Sequence, residues 1–263
     1  MVGSEQTADR LVMGAGPPLV LIGGLHGHFE FQRPIAEKLQ ERFQVFCLSL
    51  PGDDQTGRPP AEAGAVARRL LDKTAALGLE RFSLCGISMG GMLALQMALQ
   101  EPDRVQRLAV VVSCAEYDFL GRRGRAFFDF LLRLHMERAC RRISRSLLLG
   151  LTVRELVLES LRPSALLPYW GKFSTYRSPG GLVWERLKMI RDVALLDSIA
   201  QLKMPVLLVA GKRDRIIHPR HTVEMQSRMS DAQMTLVPGA GHLFPFLKPE
   251  KLAAILLPFF RNG

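Results

Sequence analysis

Short apolar runs alternate with longer stretches of helical period along most of the chain. Runs short enough for single strands occur at 18–22, 43–50, 81–87, 107–113, 205–211 and 233–238. Helical patterns between them cover 30–42, 61–78 and 89–101. Strands that are apolar without alternation are buried on both faces, which is typical of a parallel sheet. The pattern therefore predicts an α/β protein with a mostly parallel central sheet covered by helices on both faces.

The interval 115–200 differs from the rest of the chain because it contains no convincing strand. Its helix-like stretches are interrupted by proline and glycine residues, most clearly at 178–181. We therefore expect a core built from 1–114 and 201–263, with 115–200 inserted as a helical cap. At the N-terminus, residues 4–17 are expected to supply at most one further strand.

Composition and charge narrow the class of protein. The chain has 263 residues, of which 48% are hydrophobic and 23% charged, as in a folded globular protein. Its formal net charge is +10, and the stretch from Glu116 to Asp197 holds 15 Lys and Arg against 9 Asp and Glu. This excess favours anionic partners, such as an acidic carrier protein or an anionic membrane surface that meets a basic cap. Nucleic acid is not expected, because no zinc-finger spacing or RNP motif accompanies the charge.

Cysteine use and the N-terminus bear on the cellular compartment. The four cysteines match no zinc-site spacing and include no C-x-x-C pair; they are Cys47, Cys85, Cys114 and Cys140. Most of them lie in or beside apolar runs, so we expect buried, reduced thiols. The first ten residues do not have the pattern of a secretion signal, and no apolar run is long enough to span a membrane. These patterns predict a cytoplasmic protein without a metal or a cofactor.

The stretch 86–90 reads Gly-Ile-Ser-Met-Gly and matches G-x-S-x-G between a predicted strand and a predicted helix. A serine at such a sharp turn has strained backbone angles, and glycines two residues away remove side chains that would collide. Ser88 would lie at a helix N-terminus, where free N–H groups stabilise negative charge. The pattern predicts that Ser88 is a nucleophile and that the Met89 amide is an oxyanion donor. An incidental serine in a glycine-rich turn is the alternative.

A nucleophilic serine needs a general base, and the base needs an acid that orients it. His242 comes just after the last predicted strand, and Asp214 comes just after the strand before it. Both follow carboxyl ends of strands, as Ser88 does, and an open parallel sheet binds its ligands at that edge. Glu116 and Asp118, after the strand at 107–113, are alternative acids. The remaining histidines outside the N-terminal region are expected at the surface; they are His135, His218 and His221.

The motifs GISMGG, GKRDRIIHP and PGAGH occur in the order found in α/β-hydrolase-fold enzymes. From about Pro18 to Arg261, the chain resembles the capped, esterase-like branch of that family. The resemblance implies a triad in which Asp214 follows the seventh strand and His242 the eighth. It also implies that 115–200 is the family's cap, inserted after the sixth strand.

Two segments depart from the family pattern. The family usually has His-Gly-x after its first core strand, with the amide of x as the second oxyanion donor. Here Gly23-Gly24-Leu25 takes that place, so the Leu25 N–H is the expected donor, and His28 is the donor in a rival register. We expect Gly24, His26 and His28 to line the substrate pocket. The two histidines lack nearby carboxylate or thiolate ligands, so the metal interpretation is weak.

The second departure is the loop at 49–57, which reads Ser-Leu-Pro-Gly-Asp-Asp-Gln-Thr-Gly where the family often has Asp-x-Pro-Gly-x-Gly-x-Ser. The leading aspartate and the final serine of the family pattern are not in register here. This loop usually supports the site without reacting. The change is therefore expected to affect the order of the loop more than the chemistry.

A serine nucleophile disfavours two activities of this fold, epoxide hydrolysis and haloalkane dehalogenation, which use an aspartate at that position. Acyl chemistry remains, and the predicted activity is hydrolysis of a carboxylic ester with an apolar or medium acyl group through an acyl-enzyme. Hydrolysis of a carbon–carbon bond or of a thioester by the same triad is the alternative. A non-catalytic, ligand-binding member of the fold is a third interpretation. The pattern implies a small-molecule acyl substrate and leaves the oligomeric state open.

Overall fold

The computed structural model describes residues 4–55, 57–116, 126, 129–130 and 171–261. Within them, eight strands form one sheet: β1 (Glu5–Gln6), β2 (Arg10–Met13), β3 (Pro18–Ile22), β4 (Gln44–Leu48), β5 (Phe82–Ile87), β6 (Val105–Val111), β7 (Val206–Gly211) and β8 (Ala232–Val237). The helices described are α1 (Arg33–Leu39), α2 (Ala63–Ala76), α3 (Met89–Gln100), α4 (Gly180–Arg191), α5 (Arg220–Arg228), α6 (Phe244–Leu247) and α7 (Pro249–Arg261).

The sheet has the strand order β1-β2-β4-β3-β5-β6-β7-β8. All pairs from β4 to β8 are parallel, whereas β2 is antiparallel to β4 and β1 is antiparallel to β2. This arrangement confirms the predicted fold class. Because the parallel strands all point the same way, their carboxyl ends share one edge of the sheet.

Helices cover both faces of the sheet, and alternate residues of one strand feed two separate cores. Val20 and Ile22 of β3 belong to a cluster with α2, α3 and α5. Leu19 and Leu21 of the same strand belong to a second cluster with α1, α6 and α7. A strand buried on both faces needs an apolar side chain at every position, which explains the unbroken runs in the sequence.

The expectation of at most one strand in residues 4–17 was wrong, since both β1 and β2 form there. The two strands are joined by a tight turn in which the Thr7 N–H donates to the Arg10 carbonyl at 3.0 Å. A salt bridge between Glu5 and Arg10, at 2.6 Å, links the strands beside that turn. A turn this short leaves enough chain for a two-residue strand, which is too short for a periodicity to reveal.

The predicted helix over 30–42 is shorter and divided. A 3-10 turn at Phe29–Phe31 comes first, and α1 then begins at Arg33 with Pro34 in its first turn. Proline is favoured there because its fixed φ suits a helix start and its missing N–H has no partner to lose. The other predicted core elements are confirmed, with boundaries that differ by up to two residues.

The structure describes part of the predicted cap. The chain is helical at 171–176 and again in α4, with the predicted interruption between them. The Ala115 carbonyl accepts from the Leu195 N–H at 2.9 Å, so the two ends of the insertion meet. The remainder of the insertion lies outside the described residues, and its role as a cap stays a prediction.

Three of the four cysteines are buried, unpaired thiols, as expected. Burial raises the pKa of Cys85 and of Cys114 to about 12, and it raises that of Cys47 as well. Such thiols are poor nucleophiles at neutral pH. Cys140 lies outside the described residues. None of the helices in the described part of the chain combines the length and the hydropathy needed to cross a membrane.

Candidate active site

Ser88 occupies the sharp turn between β5 and α3. Its backbone angles are φ 57° and ψ −125°, a conformation that L residues rarely adopt. The turn is held on both sides, because the Ser88 N–H donates to the Val111 carbonyl at 2.9 Å and the Ser88 carbonyl accepts from the Ser113 hydroxyl at 2.7 Å. These bonds to β6 and the residues after it hold the strained conformation in place.

The glycines around Ser88 allow backbone segments to approach one another closely. A Cβ atom on Gly86 would run into the carbonyl group of Gly90, and one on Gly90 would meet the carbonyl oxygens of Ile22 and Gly23. The first turn of α3 is therefore packed directly against the ends of β3 and β5. This packing accounts for the glycine spacing that the sequence shows.

Asp214 and His242 lie on neighbouring loops that hold one another. The Arg213 N–H donates to the Ala240 carbonyl at 2.8 Å, and the Lys212 N–H donates to the Val237 carbonyl at 3.0 Å. A Cβ on Gly211 would collide with the Ala240 carbonyl, so the backbone of the loop after β7 directly contacts the backbone of the loop after β8. The loop after β7 thereby carries its aspartate to the histidine that follows β8.

The structure brings the three predicted residues into one hydrogen-bonded chain. Ser88 Oγ lies 2.9 Å from His242 Nε2, and His242 Nδ1 lies 2.8 Å from Asp214 Oδ2. Asp214 is buried, and its Oδ1 accepts the backbone N–H groups of Ile216 and Ile217 at 2.9 and 2.8 Å. A carboxylate only accepts, so His242 donates from Nδ1 and Nε2 is left to accept the Ser88 hydroxyl proton. This arrangement can activate the serine as a nucleophile.

The other titratable residues weighed for this role lie elsewhere. Glu116 is in an isolated bridge with Ala194, while Asp214 is the acid in contact with His242 Nδ1. Asp118 and His135 lie outside the described residues. His218 is exposed as predicted, but His221 is buried, so its prediction was wrong. His221 lies on the inward face of α5 with Thr222 and Met225, a placement that follows from the periodicity of the helix.

The predicted oxyanion segment lies directly against Ser88. A Cβ on Gly24 would be 3.2 Å from Ser88 Cβ and 3.6 Å from its Oγ, so the Gly24–Leu25 peptide borders the serine. Met89 follows Ser88 as the first residue of α3. Among the described residues, neither the Leu25 amide nor the Met89 amide donates to a protein acceptor. Their role as a pair of oxyanion donors remains a prediction.

His28, the donor in the rival register, also has a local structural role. It caps the 3-10 turn, where its Nδ1 accepts the Glu30 N–H at 3.2 Å and its carbonyl accepts the Phe31 N–H. Its ring stacks on Tyr176 at 4.7 Å between centroids. These contacts involve the imidazole and the carbonyl of His28 and not its N–H, so Leu25 as the second donor stays a prediction, with His28 as its rival.

His26 belongs to an aromatic wall that joins the loop after β3 to the helical stretch at 171–176. Its ring stacks on Phe31 at 5.7 Å and meets the edge of Phe173 at 5.0 Å. Burial, with a contribution from the charge of Arg186, lowers the pKa of His26 to about 4. Burial also lowers the pKa of His28. Both imidazoles are therefore neutral at pH 7, and their predicted contact with substrate is not tested by these contacts.

Arg186 is a buried residue at this site that the sequence motifs did not reveal. It lies on α4, is 3% exposed, and forms an ion pair with Asp53 at 2.7 Å. Its Nη1 donates to the Leu25 carbonyl at 2.8 Å and to Ser178 Oγ at 2.9 Å, and its Nη2 donates to the Pro51 carbonyl at 3.1 Å. Asp53 falls at a variable position of the family loop, so no motif in the sequence pointed to this ion pair.

No cluster of three or more histidine, cysteine or acidic side chains suited to a metal ion occurs in the described part of the chain. At this edge of the sheet, the hydroxyl, the imidazole and the carboxylate described above lie together. Together with free backbone N–H groups, they form a site suited to attack on a carbonyl carbon.

The chain belongs to the alpha/beta hydrolase fold family, whose model matches residues 17–249. Its relatives include a pimeloyl-acyl-carrier protein methyl ester esterase of Nitrosomonas europaea, 29% identical over 92% of this chain and 94% of the relative. A protein of Azorhizobium caulinodans with the provisional name carbamate hydrolase RutD is 26% identical over 94% of this chain and 92% of its own length.

Solved structures share the fold over nearly the whole chain. A thermophilic esterase of Thermogutta terrifontis superposes with a TM-score of 0.76 at 22% identity, covering 99% of this chain and 98% of that one. Hydrolases thus occur among both the sequence relatives and the structural neighbours, and the chain is an enzyme of the α/β-hydrolase family.

Proposed function

We propose that the protein is a serine carboxylesterase. The observation that carries the proposal is the chain of contacts from Ser88 Oγ to His242 and from His242 to the buried Asp214. Esterases among the relatives and structural neighbours support the same reaction class. In this proposal, His242 is the general base and Asp214 fixes its tautomer.

The reaction proceeds in two halves. Ser88 Oγ attacks the ester carbonyl carbon and its proton passes to His242 Nε2, while the Leu25 and Met89 amides stabilise the oxyanion. The carbon–oxygen bond to the alcohol then breaks, and His242 returns the proton to the departing alcohol. A water molecule that gives its proton to His242 attacks the acyl-enzyme in the same way and releases the carboxylic acid.

Labelling with a fluorophosphonate tests the nucleophile. The wild-type protein is expected to be labelled at Ser88 and to hydrolyse short-chain p-nitrophenyl esters, whereas Ser88→Ala is neither labelled nor active. Ser227→Ala, at an exposed serine on α5, is the matched control and keeps both properties. Labelling that persists in Ser88→Ala would refute the assignment. An absence of any labelling would favour a ligand-binding member of the fold.

The second part of the proposal concerns the substrate. We infer that its acyl group is carried by an acidic protein. Two curated relatives named for a methyl ester on acyl-carrier protein support this inference, since each matches more than nine-tenths of the chain. The excess of basic residues between 116 and 197 supports it as well. A positive surface attracts an acidic carrier and raises the rate of encounter.

A substrate panel separates the ester reaction from its alternatives. It contains methyl esters of increasing acyl length, free and carrier-bound, with a thioester and a vinylogous diketone. We expect the highest kcat/KM on a carrier-bound methyl ester. A preference for the thioester or for the diketone would replace the ester assignment with thioester or carbon–carbon bond hydrolysis by the same triad.

A further inference from the structure

The loop that precedes His26 depends on a side chain from the insertion. The Leu25 carbonyl accepts a hydrogen bond from Arg186, although the two residues are 161 positions apart. No strand or helix contains Leu25, so no ladder of backbone bonds fixes its orientation. The bond from Arg186 restricts rotation about the Leu25 backbone and thereby the direction of the N–H group on the same residue.

We propose that Arg186 is a positioning residue that fixes the Leu25 oxyanion donor. The proposal rests on the esterase function argued above. Arg186 does not touch the reacting atoms in it. It holds the Leu25 carbonyl, which belongs to the peptide group that follows Leu25. This contact limits rotation about the Leu25 Cα, so that the N–H of the preceding peptide group remains directed at the place where charge develops on the substrate.

Contacts with Asp53 and Ser178 hold the guanidinium of Arg186 in place. Asp53 Oδ2 pairs with Arg186 and also accepts the Ser178 hydroxyl at 2.8 Å, and the same hydroxyl accepts from Arg186. A planar guanidinium offers five N–H donors in a fixed geometry, which allows contacts to several acceptors at once. A lysine ammonium at this position could pair with Asp53 but could not reach the Leu25 and Pro51 carbonyls together.

Arg186 also borders the segment that carries the other predicted donor. Arg186 and Met89 line one small cavity, together with residues of α3, α4 and the loops around them. Arg186 and Met89 thus border the same space, although they lie on different helices. The sequence places the two predicted donors after two different strands, β3 and β5.

The test compares four variants, one of them the single substitution Arg186→Met, on a short-chain p-nitrophenyl ester and on fluorophosphonate labelling of Ser88. Arg186→Lys keeps the charge beside Asp53 but loses the geometry. The double variant Arg186→Met/Asp53→Asn removes both buried charges, so that neither is left unpaired. Lys188→Met, at a half-buried residue of the same helix that pairs with Glu185, is the matched control. Thermal unfolding is measured for each variant.

We expect Arg186→Lys to lower kcat about ten-fold or more and the double variant about a hundred-fold, because a displaced donor weakens transition-state binding. KM should stay within about two-fold in both, since the lost interaction is made only in the transition state. Labelling of Ser88 should slow in parallel, and Lys188→Met should match the wild-type protein. The Tm of the double variant is expected to lie closer to the wild-type value than that of Arg186→Met alone.

The outcomes separate the two proposals. A folded double variant with wild-type kcat would show that Arg186 only balances the charge of Asp53. A rise in KM at constant kcat would show that Arg186 binds substrate directly, and either result overturns the positioning role while the esterase assignment stands. If the double variant does not fold, Arg186→Lys decides between the same results. If the wild-type protein neither labels at Ser88 nor cleaves esters, the esterase proposal fails and the positioning role fails with it.

Discussion

At the scale of single residues, the hydrogen bonds around Asp214 allow its carboxylate only one orientation. Asp214 is fully shielded from solvent, and both of its oxygens are occupied by N–H donors of His242, Ile216 and Ile217. It cannot turn away from the imidazole without leaving two buried N–H groups unpaired. Its sequence position after β7 was visible in advance, but this fixed orientation was not.

The amide variant Asp214→Asn is expected to lower kcat for ester hydrolysis by about 10³–10⁴-fold, because an amide can present its NH₂ group to Nδ1 and favour the wrong tautomer. Steady-state kinetics on a short-chain ester measure the effect. Asp197→Asn, whose side chain is 93% exposed, is the matched control and should keep full activity. Retention of most of the activity in Asp214→Asn would point to a different acid, with Glu116 the next to test.

His26 gives the protein a pH-dependent stability. Its pKa falls from 6.5 to about 4 on folding, mainly through burial. Between these values the unfolded chain binds a proton that the folded chain does not bind. The stability contributed by neutral His26 is therefore present above pH 6.5 and is lost as the pH falls toward 4. The free energy of unfolding should drop by about 2–3 kcal/mol across that range from this residue.

Denaturant unfolding between pH 4 and 7.5 measures this slope. His26→Gln removes the titrating group and is expected to flatten the slope relative to the wild-type protein. His218→Gln, at an exposed histidine, should leave the slope unchanged. The explanation is wrong if His26→Gln and the wild-type protein lose stability equally between pH 6.5 and 4.5.

At the scale of elements, the core strands were predictable because burial on both faces requires apolar residues at every position. β5 is buried throughout, and its run of apolar residues was visible in the sequence. β1 was missed because two exposed residues carry no such signal. Arg186 was missed for another reason: its partners at 25, 51 and 53 are distant in sequence, and no local pattern records them.

The loop after β3 lies so close to the start of α3 that a single added methyl group should disturb the contact. In Gly24→Ala, the added Cβ would press on Ser88 Cβ at 3.2 Å. We expect kcat to fall by about ten-fold to a hundred-fold through displacement of the nucleophile or of the Leu25 amide. Far-ultraviolet circular dichroism should remain that of the wild-type protein.

Gly171→Ala is the matched control for this loop, because its new Cβ meets no atom of the protein within 4 Å. Its kcat should equal that of the wild-type protein. If Gly24→Ala also retains full activity, the loop after β3 does not border the reacting atoms as closely as the contact implies.

At the scale of the whole molecule, the fold determines where the site lies, whereas the net charge affects which substrates reach it. The fold places Ser88, Asp214 and His242 at one edge of the sheet, but it is shared by enzymes with many substrates and does not select among them. The net charge of +10 is a property of this chain. It bears on which substrates reach the site, since long-range attraction acts on the encounter and not on the chemical step.

A salt titration tests this contribution. For a carrier-bound methyl ester, kcat/KM should fall about five-fold or more between about 20 mM and about 300 mM salt, because the encounter is screened. For an uncharged small ester, kcat/KM should hardly change over the same range. Equal salt dependence of the two substrates would remove the acidic carrier from the proposal.

The contact of Arg186 with Asp53, Ser178 and Leu25 also has a consequence for recombination between relatives. Two of these residues belong to the interval 115–200 and two belong to the core. A chimera that exchanges only the insertion would leave the Asp53 carboxylate buried without its cation, or the cation without its carboxylate. A chimera that exchanges the interval 115–200 should therefore keep its function only if position 53 is exchanged with it. The unit that must be exchanged as a whole is then encoded by two separate parts of the gene.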